Sequence, residues 1–195
     1  MQQLSTMPPT LPLFPLGSVL FPDGILPLRI FEVRYLDLIG KCHKHGAPFG
    51  VVSLTEGAEV RKAGAAEERF VAVGTVAEIR RFEAPQTGLL QIECVGTQRF
   101  RIRRSELQKF GLWTADVEAI PDDVTHAIPD DLAHTAVALQ RLVDALQERQ
   151  RLQGDGDVRL PIGAPFRFDD CGWVANRWCE FLPVSTELKQ RLMEL

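Results

Sequence analysis

The sequence predicts an α+β fold, with a β-rich first part and a helical second part. Up to residue 120, short β-branched or alternating segments are separated by turns rich in Pro and Gly. From residue 121 onward, apolar residues recur at three- and four-residue steps. Charge divides at the same place. Residues 1–120 hold 14 basic and 13 acidic side chains, a net of +1, whereas residues 121–195 hold 8 and 13, a net of −5. The connector PDDVTHAIPDD, from Pro121 to Asp131, disfavours both helix and strand. The expected division is therefore a β-rich subdomain over 1–120 and a helical subdomain over 121–195.

Each element has a local reason. Leu11–Phe14 and Ile25–Ile30 read as short strands around a loop from Pro15 to Gly24, because prolines suit edges, turns and bulges. A helix follows from Glu32 to about His43, with Val33, Leu36 and Ile39, joined by Tyr35 and Leu38, at helical spacing. Gly46 and Pro48 stop it. Phe49–Leu54 has the apolar, β-branched character of a buried strand. Residues 55–68 are small and polar and read as an exposed loop. Phe70–Phe82 alternates, with Val71, Val73, Thr75, Ala77 and Ile79 on one parity. The APQTG turn after it predicts a hairpin connection longer than two residues. Leu90–Val95 and Gln98–Arg103 are expected as two strands separated by Gly96 and Thr97, and Trp113–Ile120 closes the β-rich part.

In the second part, Leu132, Ala136, Leu139, Val143 and Leu146 predict a helix over Asp131–Arg151 that packs on another helix of the same chain. Gly154 and Gly156 end it. Trp173, Val174, Trp178 and Phe181 anchor a helix over Cys171–Phe181. Ser185 then N-caps a last helix to Leu195, whose Leu188, Leu192 and Leu195 line one side.

Composition narrows the function. The chain has 195 residues, 45% of them hydrophobic, and a net charge of −4, which excludes a disordered polymer. No run approaches the ~18 apolar residues of a membrane span. The most apolar stretch, Leu11 to Ile30, is broken by Pro12, Pro15, Pro22, Asp23 and Pro27. The segment before Leu11 has no Lys or Arg and no apolar core leading to a cleavage site. Cys42, Cys94, Cys171 and Cys179 form no CxxC pair. A cytoplasmic protein with reduced thiols and no membrane partner is expected. The phosphate loop GxxxxGK[ST] and the patterns GxSxG, HExxH and GxGxxG are absent, which argues against ATPase, hydrolase and dehydrogenase chemistry.

The remaining polar clusters read as structural. Cys42-His43-Lys44-His45 offers zinc-type ligands, but a closed site needs four and no second cluster completes it. Cys171 and Cys179, eight apart on one helix, are too distant to chelate one ion and read as packing residues. Asp122-Asp123, Asp130-Asp131 and Asp169-Asp170 precede or flank helices and read as caps. No catalytic residue, metal or cofactor is expected. Arg99, Arg101 and Arg103 alternate with Phe100 and Ile102, so all three would face one side of a strand in a stripe able to hold phosphates. An acidic pI of about 5.6 and the neighbouring Glu78, Glu83, Glu93 and Glu106 favour a solvated face instead, with nucleic acid an unfavoured partner.

The strongest signal is the run LPLFPLGSVLFPDGILPLRIFEVRY, Leu11 to Tyr35. It is followed in order by FGVV at Phe49–Val52, GTVAEI at Gly74–Ile79, GTQRFRI at Gly96–Ile102 and WVANRWCEFLPVSTELKQRLMEL at Trp173–Leu195. This ordered set resembles the Lon protease N-terminal, or substrate-binding, domain family, and the resemblance spans Leu11 to Leu195. It implies a twisted, PUA-like β pseudo-barrel with one packed helix, followed by a C-terminal helical bundle. It also implies a non-catalytic module that binds unfolded or partner polypeptides, as an adaptor in protein quality control. In full-length Lon-type proteases the module precedes an ATPase domain and a Ser–Lys peptidase domain. Neither lies in these 195 residues, so the expectation is a stand-alone relative without proteolysis of its own. Phe14, Leu16, Phe21, Phe31 and Tyr35 are the candidate polypeptide contacts, with a core role for all five as the alternative. The alternative ligand is RNA or a small molecule at Arg99, Arg101 and Arg103. The last helix, with Trp173 and Trp178 near it, leaves room for a homo-oligomer.

Overall fold

A computed structural model describes residues 7–59, 68–153 and 161–195. Five of its strands close into a ring. β1 (Thr10–Leu16) pairs antiparallel with β7 (Trp113–Ala119) through residues 10–13, and parallel with β3 (Phe49–Glu56) through residues 13–16. From β7 the order runs through β6 (Leu89–Leu107) and β5 (Val73–Gln86) back to β3, each pair antiparallel. β2 (Ile25–Ile30) stands beside the ring on residues 90–95 of β6, and β4 (Arg69–Phe70) lengthens the far end of β3. The expected β pseudo-barrel with one packed helix is what forms.

That helix is α1 (Val33–His45), ended by Gly46 at φ 61°, a left-handed C-cap that glycine adopts without steric cost. Its buried stripe is Tyr35, Leu38, Ile39 and Cys42, packed with Phe14, Phe49 and Ile92. The phase expected from Val33 and Leu36 is thus displaced, and Val33 is 81% exposed. A second core cluster inside the ring joins Leu11, Leu13, Val52, Val76 and Phe100.

β6 is one strand of 19 residues where two were expected. Gly96 is the reason. The Phe21–Gly24 segment crosses the strand there, with Asp23 N donating to Gly96 O at 2.8 Å and Gly96 N to Gly24 O at 2.9 Å. A Cβ at this position would collide with the backbone carbonyl of Phe21, so the glycine serves a close approach and not a turn. Gly96→Ala is expected to lower the unfolding free energy by about 1–3 kcal/mol, measured by denaturant titration. The β5–β6 hairpin also differs from expectation. Gln86 pairs with Leu89, leaving only Thr87 and Gly88, at φ 80°, in the turn. A register shift between Glu83 and Gln86 takes up the remaining residues.

The helical part comprises α2 (Ala133–Gln153), α3 (Cys171–Phe181) and α4 (Thr186–Met193). Leu139 and Val143 of α2 pack on Trp173 and Val174 of α3, whereas Leu132 lies in a preceding 3₁₀ turn and is exposed. The expected stop at Gly154 and Gly156 lies outside the described residues. Asp170 caps α3 by accepting from Gly172 N and Trp173 N, and Ser185 caps α4 by accepting from Leu188 N. Trp173 is buried and the Trp178 Nε1 donates to Thr135 O at 3.1 Å, so both tryptophans are engaged within the chain.

α4 turns a different face inward from the one expected. Gln190 and Met193 are buried against β5 and Phe21, while Leu188 and Leu195 are exposed. Two long-range bonds select that face: Gln190 Nε2 donates to Val73 O at 3.0 Å, and Arg99 Nη1 donates to Met193 O at 2.9 Å. This cover buries both faces of β5 over residues 73–77, where alternation predicted only one. Among the described residues, no helix is long and apolar enough to cross a membrane.

Candidate functional site

The ring is complete in one half and interrupted in the other. β7 fills the space between β1 and β6 along residues 10–13 of β1. Beyond them, among the described residues, residues 14–16 of β1 pair only with β3, and β2 pairs only with β6. A groove of about 250 Å³ lies between these two edges, lined by Phe14, Leu16, Tyr35, Phe31 and residues 27–30 of β2. Its floor is rigid: the Phe14 and Tyr35 rings stack at 4.0 Å, and the Arg34 guanidinium lies 4.4 Å from the Tyr35 ring centre. Phe31 stands at the mouth, 56% exposed.

Arg34 organises the rim. Its Nη2 donates to Glu68 Oε1 at 2.7 Å, its Nε to Glu32 at 3.2 Å, and its Nη1 to the Gly111 carbonyl at 2.7 Å. Glu68 also accepts from Trp113 Nε1 at 2.9 Å. Burial works against the Arg34 charge, but the hydrogen bond to Glu68 and the fields of Tyr35, Glu68 and Glu32 outweigh it and raise the pKa. The bond to Gly111 fixes the β6–β7 connection beside the start of α1. In that connection Phe110 takes φ 68° and ψ 12°, and its side chain is 92% exposed. Val33 and Phe110 are therefore chain neighbours of the two residues that this bond joins.

The sequence candidates separate on burial. Phe14, Leu16 and Tyr35 are buried but line the groove, and Phe31 is exposed. Phe21 has no exposed surface; it packs on Val73 and Met193 beneath α4. The arginine stripe also needs correction. Phe100 and Ile102 do face the ring interior, but α4 and the connector after β7 cover Arg99, which is bound to Met193 O and Asp123. Arg101 is exposed, and Arg103 is paired with Glu118, so no open three-arginine face exists. Val33, Phe110 and the Arg34–Glu68 pair were missed. The only local hint was an aromatic residue within the polar stretch QKFG, residues 108–111.

A second hollow, of about 420 Å³, lies between barrel and helices beside Asp23, Arg99, Asp123, Arg167 and Trp173. Three of its carboxylates are engaged: Asp23 with Arg167, Asp123 with Arg99, and Asp170 as the α3 cap. Burial pushes the thiols of Cys42 and Cys179 upward and that of Cys94 to about 12, which disfavours nucleophilic thiolates. Among the described residues, no group of three His, Cys, Asp or Glu side chains is placed to hold a metal ion.

This architecture has known counterparts. The family model of the ATP-dependent protease La (LON) substrate-binding domain matches residues 10–195. The crystal structure of the Lon N-terminal domain protein from Xanthomonas campestris is 31% identical, over 95% of this chain and 90% of that one, with a TM-score of 0.67. The N-terminal domain of the Mycobacterium avium complex Lon protease shares the fold at 14% identity, over 95% and 90%, with a TM-score of 0.56. The matched family is the substrate-binding domain and not the ATPase or peptidase domain. The chain belongs to the Lon substrate-binding domain family.

Proposed function

We propose that this protein is a non-catalytic recognition module that binds unfolded or partner polypeptides, as an adaptor in protein quality control. The site comprises Phe31, Val33 and Phe110 at the rim and Phe14, Leu16 and Tyr35 at the groove floor. The observation that carries this reading is Phe110. A left-handed backbone costs a non-glycine residue about 1–2 kcal/mol, and here it accompanies a phenylalanine side chain in water. No packing among the described residues compensates for that exposure, whereas an apolar segment of a bound chain would. The family supports the same reading, since it is named for substrate binding. Four free cysteines suit a reducing, cytoplasmic setting.

The test is titration of the protein with a reduced, carboxymethylated model protein that stays unfolded in buffer. Phe31→Asp combined with Phe110→Gly is expected to weaken binding by about tenfold or more, as expected for loss of aromatic anchors. Stability should hold within about 1 kcal/mol, because glycine relieves the left-handed strain and Phe31 is a surface residue. Unchanged affinity in the double variant would sink the proposal.

A further inference from the structure

We infer that a bound polypeptide docks as an added β-strand along the free edge of β2, placing an acidic side chain against Arg29. This rests on the polypeptide-recognition reading above and specifies its mode and the chemistry of the segment.

The backbone supplies the first argument. β2 forms a six-residue ladder with β6 and has no strand on its other edge among the described residues. Across the groove, residues 14–16 of β1 lack a partner among the described residues on the side that β7 occupies lower down. The ring is thus short of one strand here, in a slot whose β2 wall is about 20 Å long. The chain itself already uses this edge. Gly24, the residue before β2, is bonded to Gly96 of β6 on one side, and Ile162 forms an antiparallel bridge with Gly24. Pro27 withholds one donor, which discourages pairing between two copies of the same edge and leaves residues 28–30, next to Phe31, to form the ladder.

Side chains supply the second argument. Of the charged groups on the groove wall, Glu32 is held by Arg34, and Glu59 accepts from Gly17 N at 2.6 Å. Arg29 is exposed and has no ionic partner among the described residues. The uncommitted charge is therefore positive, while Phe14, Leu16, Tyr35 and Phe31 present apolar surface. A strand with apolar residues on one parity and an Asp or Glu on the other satisfies both.

The experiment uses a short fluorescent peptide alternating Val and Thr with one central Asp, read by anisotropy, and amide exchange of the full chain. Wild-type protein should bind it and protect the amide of Arg29, which points away from β6. Leu28 and Ile30 share the parity of Gly24 and already face β6. N-methylation of the peptide nitrogens on one edge should weaken binding by about tenfold, with little effect on the other edge. Arg29→Glu should weaken the Asp peptide and strengthen the same peptide carrying Lys. If the unfolded model protein binds through Phe31 and Phe110 but N-methylation, Arg29→Glu and β2 protection show no effect, strand addition is overturned and recognition stands. If binding of the unfolded protein is indifferent to Phe31 and Phe110, the broader reading falls.

Discussion

Replacing Arg34 by methionine is expected to lower the unfolding free energy by about 3–5 kcal/mol. The Arg34 and Glu68 side chains are only 6% and 4% exposed and meet at 2.7 Å. Without the guanidinium, Glu68 keeps one neutral donor, Trp113 Nε1, and its charge stays in a site that water does not reach. Removing one partner of a buried pair is costly for that reason, whereas removing both is not. Arg34→Met with Glu68→Leu should accordingly recover most of the loss. Arg34→Lys should recover less, because a single ammonium cannot reach Glu32, Glu68 and Gly111 O in the forked geometry that Arg34 uses. Urea titration of the four proteins decides the matter; a loss below about 1 kcal/mol in Arg34→Met would show that the pair contributes little. Polypeptide binding should fall further than stability alone explains, since the Gly111 carbonyl loses the donor that fixes the Phe110 loop.

How much of this was legible follows from the range of the forces. Ile25–Ile30 and Cys171–Phe181 were bounded correctly because their signals are local: turn residues, helical spacing and N-terminal caps at Asp170 and Ser185. The groove floor was legible for a similar reason, since Phe14, Leu16 and Tyr35 fall in the apolar run that builds both β1 and α1. What escaped depends on partners far along the chain. Arg99 looks exposed until α4 brings Met193 O to it from 94 residues away. Gly96 looks like a turn until Phe21 crosses it. Val33 follows helical spacing as well as Leu38 does, and only the direction of the barrel decides that it faces water. Arg34 pairs with Glu68, which lies inside a stretch that reads from sequence as an exposed loop. Phe110 carried no period and no cap, so its exposure is a property of the β6–β7 connection alone.

Glu180 should make stability fall as pH rises from about 4.5 to about 7, by about 2–3 kcal/mol relative to a Glu180→Gln variant. Burial pushes its carboxyl up to about 7, and Asp23 adds to the shift, while Arg177 and Lys189 pull the other way. In the unfolded chain the same group titrates near 4.5. Between these values the folded state binds the extra proton, so folding is favoured at the acid end and loses that advantage as Glu180 ionises. Arg177, with its Nε 2.9 Å from Glu180, pulls the carboxyl toward ionisation, but less strongly than burial opposes it. It donates to Pro22 O at 2.6 Å and lies 5.7 Å from the Trp173 ring centre. The full shift would correspond to about 3 kcal/mol, and partial exposure of Glu180 brings the expected effect somewhat lower. Denaturant titrations from about pH 5 to about pH 8 on both proteins provide the check, and subtracting the two curves cancels the other carboxylates. Parallel curves would remove Glu180 as the source. The consequence is local to the barrel–helix junction. Arg177 bonds the barrel loop at Pro22, and Lys189 of α4 donates to the Glu180 carbonyl at 2.7 Å. The pH-dependent loss is therefore placed at the junction where the Pro22 loop of the barrel meets α3 and α4.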